Sequence, residues 1–109
     1  MIKPGAIVTV NFVGSTGIKR RPALVLSTVL YHQTRPDIIV GVLTSQVTSA
    51  TQPTDYILRD WAEAGLHRNT AFRTYLNTVL ATEVTEVGRL SQHDWECVQR
   101  CLRLALAVT

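Results

Sequence analysis

The sequence predicts a mainly β protein: one small, strongly curved antiparallel barrel followed by a C-terminal α-helix. Three observations lead there. Short segments rich in β-branched residues recur through most of the chain, separated by Gly, Pro and polar turn residues. Gly41 interrupts the most continuous apolar run, as a sheet that curls on itself requires. The apolar period then changes, near the end, from two to alternating steps of three and four. No repeat, linker or low-complexity stretch divides the chain, so residues 1–109 are read as a single domain.

Each element has its own local reason. In "AIVTVNF", Ile7, Thr9 and Asn11 alternate with Val8, Val10 and Phe12, the pattern of a half-buried strand. "VGSTGIKRRP" reads as a polar loop. Pro22 then opens the strand "ALVLS", a position where a missing N–H costs no ladder bond. After the polar connection "TVLYHQTRPD", the run Ile38 to Leu43, "IIVGVL", is the central strand. "DYILRD" is a short strand, and "WAEAGLHRN" is a turn closed by Gly65 and anchored by Trp61. "TAFRTYLNTVL" is a longer strand. Ser91 is a helix N-cap with Asp94 three residues on, and Trp95, Val98, Leu102, Ala105 and Leu106 form one apolar stripe.

Composition narrows the function. With 46% hydrophobic and 17% charged residues the chain folds, and a net charge of +3 suits a surface that tolerates polyanions. No apolar stretch approaches the roughly 18 residues of a membrane helix, and Pro4 and Gly5 break the first apolar run, so neither a membrane span nor a secretory signal is expected. Cys97 and Cys101 lie four residues apart in a helical segment, with no second pair to complete a zinc site. A cytoplasmic protein with reduced thiols and no metal or cofactor is expected. His32, His67 and His93 have no ligand spacing and read as surface residues, His32 being in a loop at the end of the barrel where a site would lie. "GSTGIKRR" has the wrong glycine spacing for a nucleotide phosphate loop.

One pairing stands out. Arg21 precedes the second strand and Thr44 ends the third, so antiparallel neighbours would put both on one rim. A guanidinium fork beside a hydroxyl suits a phosphodiester whose negative charge grows during reaction. The plain alternative makes Arg21 a solvated charge and Thr44 a strand-ending hydroxyl.

"KPGAIVTVNF", "KRRPALVLS" and "GVLTSQ" resemble, in order and spacing, the MazF/PemK toxins of bacterial type II toxin-antitoxin pairs, and the resemblance spans nearly the whole chain. It implies an SH3-like or CcdB-like barrel, a homodimer, a cognate antitoxin protein, and metal-independent cleavage of single-stranded RNA. By analogy, the ribose 2′-hydroxyl attacks phosphorus to leave a 2′,3′-cyclic phosphate and a 5′-hydroxyl. Arg21 and Thr44 fall on the family's catalytic arginine and threonine. Ser15, Thr16, Lys19 and Arg20 fall in its first loop, which lies over the RNA channel and is mobile without ligand. Ser45 and Gln46 complete the "LTSQ" contacts, and Arg73 and Asn77 stand in for a family Ser and Gln that this chain lacks. Ala6 and Asn11 replace acidic residues of the family pattern. Two rival functions are a CcdB-like gyrase poison, against which the ending "LALAVT" counts, and a non-catalytic SH3-like binding module, for which 6% aromatics offer little groove.

Overall fold

A computed structural model describes residues 1–108 of the chain. Strands β1 (Ala6–Gly14), β2 (Gly17–Val25), β3 (Asp37–Thr44), β4 (Tyr56–Ile57), β5 (Ala71–Leu80) and β6 (Thr85–Arg89) form one antiparallel sheet in the order β4-β5-β3-β2-β1-β6. A short helix α1 (Val29–Thr34) joins β2 to β3, and α2 (Gln92–Ala105) follows β6. The sheet curls into a half-barrel with β4 and β6 at its margins.

Both sheet faces are apolar, which explains why β1 opens with three fully buried residues instead of alternating throughout. Ile7, Leu24, Leu43 and Phe72 face Val98 and Cys101 of α2, together with Leu58 and Leu90. On the other face Val8, Val10, Ala23, Val25, Ile38 and Val40 pack inside the curl, covered by Ile2, Phe12 and Val79. Gly41 lets the two halves meet: a Cβ there would lie 2.3 Å from the ring of Phe72. The close approach expected of that glycine is therefore made by an aromatic side chain.

Three sequence expectations need correction. The stretch 13–22 is a β-hairpin and not a loop: Val13 pairs with Ile18, Phe12 with Lys19 and Asn11 with Arg20, around a two-residue turn at Ser15 and Thr16. Exposed polar residues along a strand that projects beyond the core mimic a loop in one dimension. The connection after β2 contains α1, capped by the Thr28 hydroxyl, which accepts from Tyr31 N–H at 3.3 Å. The strand β6 has no apolar alternation to announce it, since four of its five residues are exposed.

The terminal helix follows its apolar stripe as far as Leu102, while Ala105 and Leu106 at its end are exposed. Ser91 caps it by accepting from Asp94 N–H at 3.2 Å, and Val98 and Cys101 are buried while Trp95 and Leu102 are half-buried against the same core. Both cysteines are free thiols. No helix among the described residues is long and apolar enough to cross a membrane.

Candidate active site

The feature that builds a site is the early end of one strand ladder. β2 pairs with β3 only from Val25 and Val40 to Ala23 and Val42. The next residue of β2 is Pro22, which has no N–H to continue the ladder. The strands part there. Extended by two residues, the β2–β3 register would bring Arg21 level with Thr44; each is held on its other side, Arg21 by Val10 and Thr44 by Ala71.

A cleft of ≈ 380 Å³ occupies the opening. Arg20, Arg21 and Pro22 line it from β2, Thr9 from β1, Leu43 and Ser45 from the end of β3, and Val87 from β6. Its remaining wall is the segment before β5, including Gly65, Leu66, His67, Arg68 and Thr70. The lining holds three arginines and no carboxylate. The described ion pairs, Arg35 with Asp37, Arg59 with Asp60 and Arg73 with Asp55, engage none of the three. Uncompensated guanidinium groups converging on a concave surface make a site for an anion.

Arg20 is aimed by neutral partners. Its guanidinium donates to Asn11 Oδ1 at 3.1 Å and to Thr85 Oγ1 at 2.9 Å. An aspartate at position 11 would bind the same fork and cancel its charge. Asn11 fixes the geometry and leaves the charge.

The wall is itself docked by two devices. Asp94, fully buried at the start of α2, accepts from the Tyr56 hydroxyl at 2.5 Å and from the backbone N–H groups of Arg59 at 3.1 Å and Asp60 at 2.8 Å. Burial first, and then the bond to Asp94, push the Tyr56 phenol well above its ordinary range, so it remains a donor. The side chain of Asp60 accepts from Ser91 Oγ at 2.7 Å, and its bonds to Arg59 and Ser91 hold its carboxyl below the usual range. Further along, Ala64 and Gly65 lie directly on Gly88 of β6: a Cβ on Gly88 would sit 1.8 Å from the Ala64 carbonyl oxygen. Gly88→Ala is accordingly expected to lift the wall off β6 and cost about 1–3 kcal/mol or more, which urea denaturation would read as a lowered midpoint.

The structure sorts the residues singled out by sequence. Arg20, Arg21 and Ser45 line the cleft, and Thr44 sits between two lining residues with its Oγ1 accepting from Gln46 N–H at 3.1 Å. Ser15, Thr16 and Lys19 lie farther out on the hairpin. Arg73 and Asn77 do not line the cleft. Arg73 lies in a bulge of β5, its Nε 3.6 Å from Asp55 and its guanidinium 5.1 Å from the centre of the Tyr75 ring, beside Thr74 at φ 62°. His32 does not approach the site: Nδ1 donates to the Ile2 carbonyl at 2.9 Å, and Nε2 accepts from Ser27 Oγ at 2.6 Å, tying the N-terminal segment to α1. Two lining residues are not selected from the sequence: Arg68, which it passes over, and His67, which it reads as a surface residue. Their only signal is a His-Arg dipeptide in a glycine-closed turn.

The family model for the PemK-like, MazF-like toxin of type II toxin-antitoxin systems matches residues 3–106. The chain belongs to this toxin family. None of the curated proteins matches its sequence. Among solved structures it is similar to an endoribonuclease bound to its cognate antitoxin from a mycobacterial species, with 16% identity, a TM-score of 0.82 and coverage of 100% of this chain and 98% of that one. It is also similar to the MazE-MazF complex of Deinococcus radiodurans (21% identity, TM-score 0.78, 99% and 98% covered) and to the Mycobacterium tuberculosis toxin MazF-mt6 (16%, 0.76, 95% and 98%). At these identities the likeness is one of fold, and the PemK/MazF half-barrel with its C-terminal helix is the fold described above.

Proposed function

We propose that this PemK/MazF-family chain is an endoribonuclease that cuts single-stranded RNA, with messenger RNA as its expected target, by attack of a ribose 2′-hydroxyl on the adjacent phosphorus. The observation that carries the proposal is the end of the β2–β3 ladder at Pro22, with three arginines that join none of the described ion pairs in one cleft and Thr44 between two of its lining residues. Arg21 holds the phosphoryl group and stabilises the charge that accumulates as the new bond forms. Thr44 orients the phosphate through its hydroxyl. The reaction leaves a cyclic 2′,3′-phosphate and a free 5′-hydroxyl, and it discriminates against DNA because DNA lacks the nucleophile. A hard divalent metal needs oxygen ligands such as carboxylates. The cleft lining offers no carboxylate, which favours chemistry done by the side chains.

Partners follow from the same reading. The structures in which similar toxins are complexed with MazE or a cognate antitoxin support an antitoxin partner for this chain, seated across the cationic cleft. A homodimer is favoured by apolar side chains left exposed late in the fold, Leu104 and Leu106 at the end of α2 and Tyr75 and Leu76 on β5.

The deciding experiment incubates the pure protein in chelator with a defined RNA and its DNA counterpart, followed by end-group analysis. Chelator-resistant cutting of RNA alone, with cyclic phosphate ends, is the expected result; intact RNA would overturn the proposal. Arg20 has a separable role in holding a neighbouring phosphate. Arg20→Ala should weaken binding and lower the slope of log affinity against log salt by about 0.7, the share of a single phosphate that is no longer neutralised, with the cleavage step of bound RNA little changed. Asn11→Asp should do the same by neutralising Arg20 in place.

A further inference from the structure

We propose that His67 is the general base that takes the proton from the attacking 2′-hydroxyl. This inference rests on the ribonuclease reading of the cleft and adds to it a residue that neither the sequence motifs nor the family match selects. Attack by a hydroxyl requires that its proton be removed as the O2′–P bond forms. The charged groups lining the cleft are Arg20 and Arg21 from β2 and Arg68 beside His67. Arginine stays protonated at any working pH and has no lone pair to offer. Thr9, Ser45 and Thr70 contribute hydroxyls, which are weak bases, and no carboxylate lines the cleft among the described residues. The imidazole of His67 is the one lining side chain that offers a basic lone pair.

Its setting separates it from the other two histidines. Both ring nitrogens of His32 are committed to Ser27 and Ile2, and Nε2 of His93 faces the Cys97 thiol at 3.8 Å on α2. His67 is exposed at the cleft, and its ring bonds to no other described residue. Its backbone is not loose, because the Asp94 carboxylate and the contact of Gly65 with β6 dock the segment that leads into the turn. An unengaged imidazole on a docked loop, in a cleft lined by cations that hold the phosphate, is placed to serve the one step they cannot.

The proton balance is simple. The 2′-hydroxyl gives its proton to the neutral imidazole, the O2′–P bond forms, the P–O5′ bond breaks, and O5′ takes a proton from water. The imidazolium then returns its proton to solvent.

His67→Gln, which keeps a polar side chain of similar reach, should lower single-turnover cleavage by about 10²–10⁴-fold. Affinity for an uncleavable 2′-deoxy strand and the thermal midpoint should stay unchanged. The wild-type rate should show an acid limb, since the base must be neutral to act, and that limb should vanish in His67→Gln. Added imidazole should restore part of the rate to His67→Ala. A wild-type protein that leaves RNA intact overturns the ribonuclease reading itself. Wild-type cutting with an unchanged rate in His67→Gln overturns the base assignment alone, as does a slowed variant that keeps the acid limb and gains nothing from imidazole.

Discussion

Arg21→Ala is expected to lower RNA cleavage by about 10²–10³-fold or more while changing affinity for a 2′-deoxy strand by less than about tenfold. The asymmetry follows from where the side chain sits. Arg21 is at the mouth of the gap opened by Pro22, held through its backbone by the pairing with Val10, and is in none of the described ion pairs. Ground-state binding is shared with Arg20, Arg68 and the hairpin, so losing one cation of several removes little of it. Charge that develops on the phosphoryl oxygens has fewer neighbours to answer it, and a rigid fork there acts most strongly in the transition state. Arg21→Lys should fall between, keeping the charge and losing the two-pronged geometry. Single-turnover kinetics and a binding isotherm on the same variants separate the two effects. A parallel loss of affinity and rate would show that Arg21 acts as one more binding charge.

Asp94→Ala should destabilise the fold by about 3–5 kcal/mol and lower the thermal midpoint by more than about 10 °C. The carboxylate is fully buried and satisfies three donors at once, the Tyr56 hydroxyl and the N–H groups of Arg59 and Asp60. Removing it leaves two backbone donors and a phenol unpaired in a site that water reaches poorly, and each unsatisfied group costs about 1–3 kcal/mol. Asp94→Asn should recover only part of the loss, because an amide must turn its single oxygen to one donor set and its NH₂ toward the other. The same change should loosen the cleft wall, so cleavage per folded molecule falls as well. Differential scanning calorimetry reads the first effect and cleavage at low temperature the second. A midpoint within about 2 °C of the wild type would refute the clamp.

Much of this architecture is legible in one dimension, for identifiable reasons. Alternation in "AIVTVNF", the apolar run around Gly41 and the capped stripe from Ser91 are local signals, and each leads to a strand or helix near where it is expected. Strands whose side chains face solvent give no such signal. The hairpin therefore reads as a loop, and β6 is not announced at all. Arg21 and Thr44 are reached through their motifs. The β2–β3 register, extended past its last pair, would put them level, and the ladder's end before Pro22 comes only from the structure.

The chain's own order of residues determined its periodicities, its helix cap, its excess of cations and the proline that stops a ladder, because these act between near neighbours. The contents of the cleft were decided by tertiary structure. His67 and Arg68 reach it only because a buried carboxylate on α2 and a glycine on β6 hold their turn against the sheet, while a bulge and Asp55 keep Arg73 away. Such contacts join residues distant in the chain, and no local propensity encodes which distant partner a loop will meet.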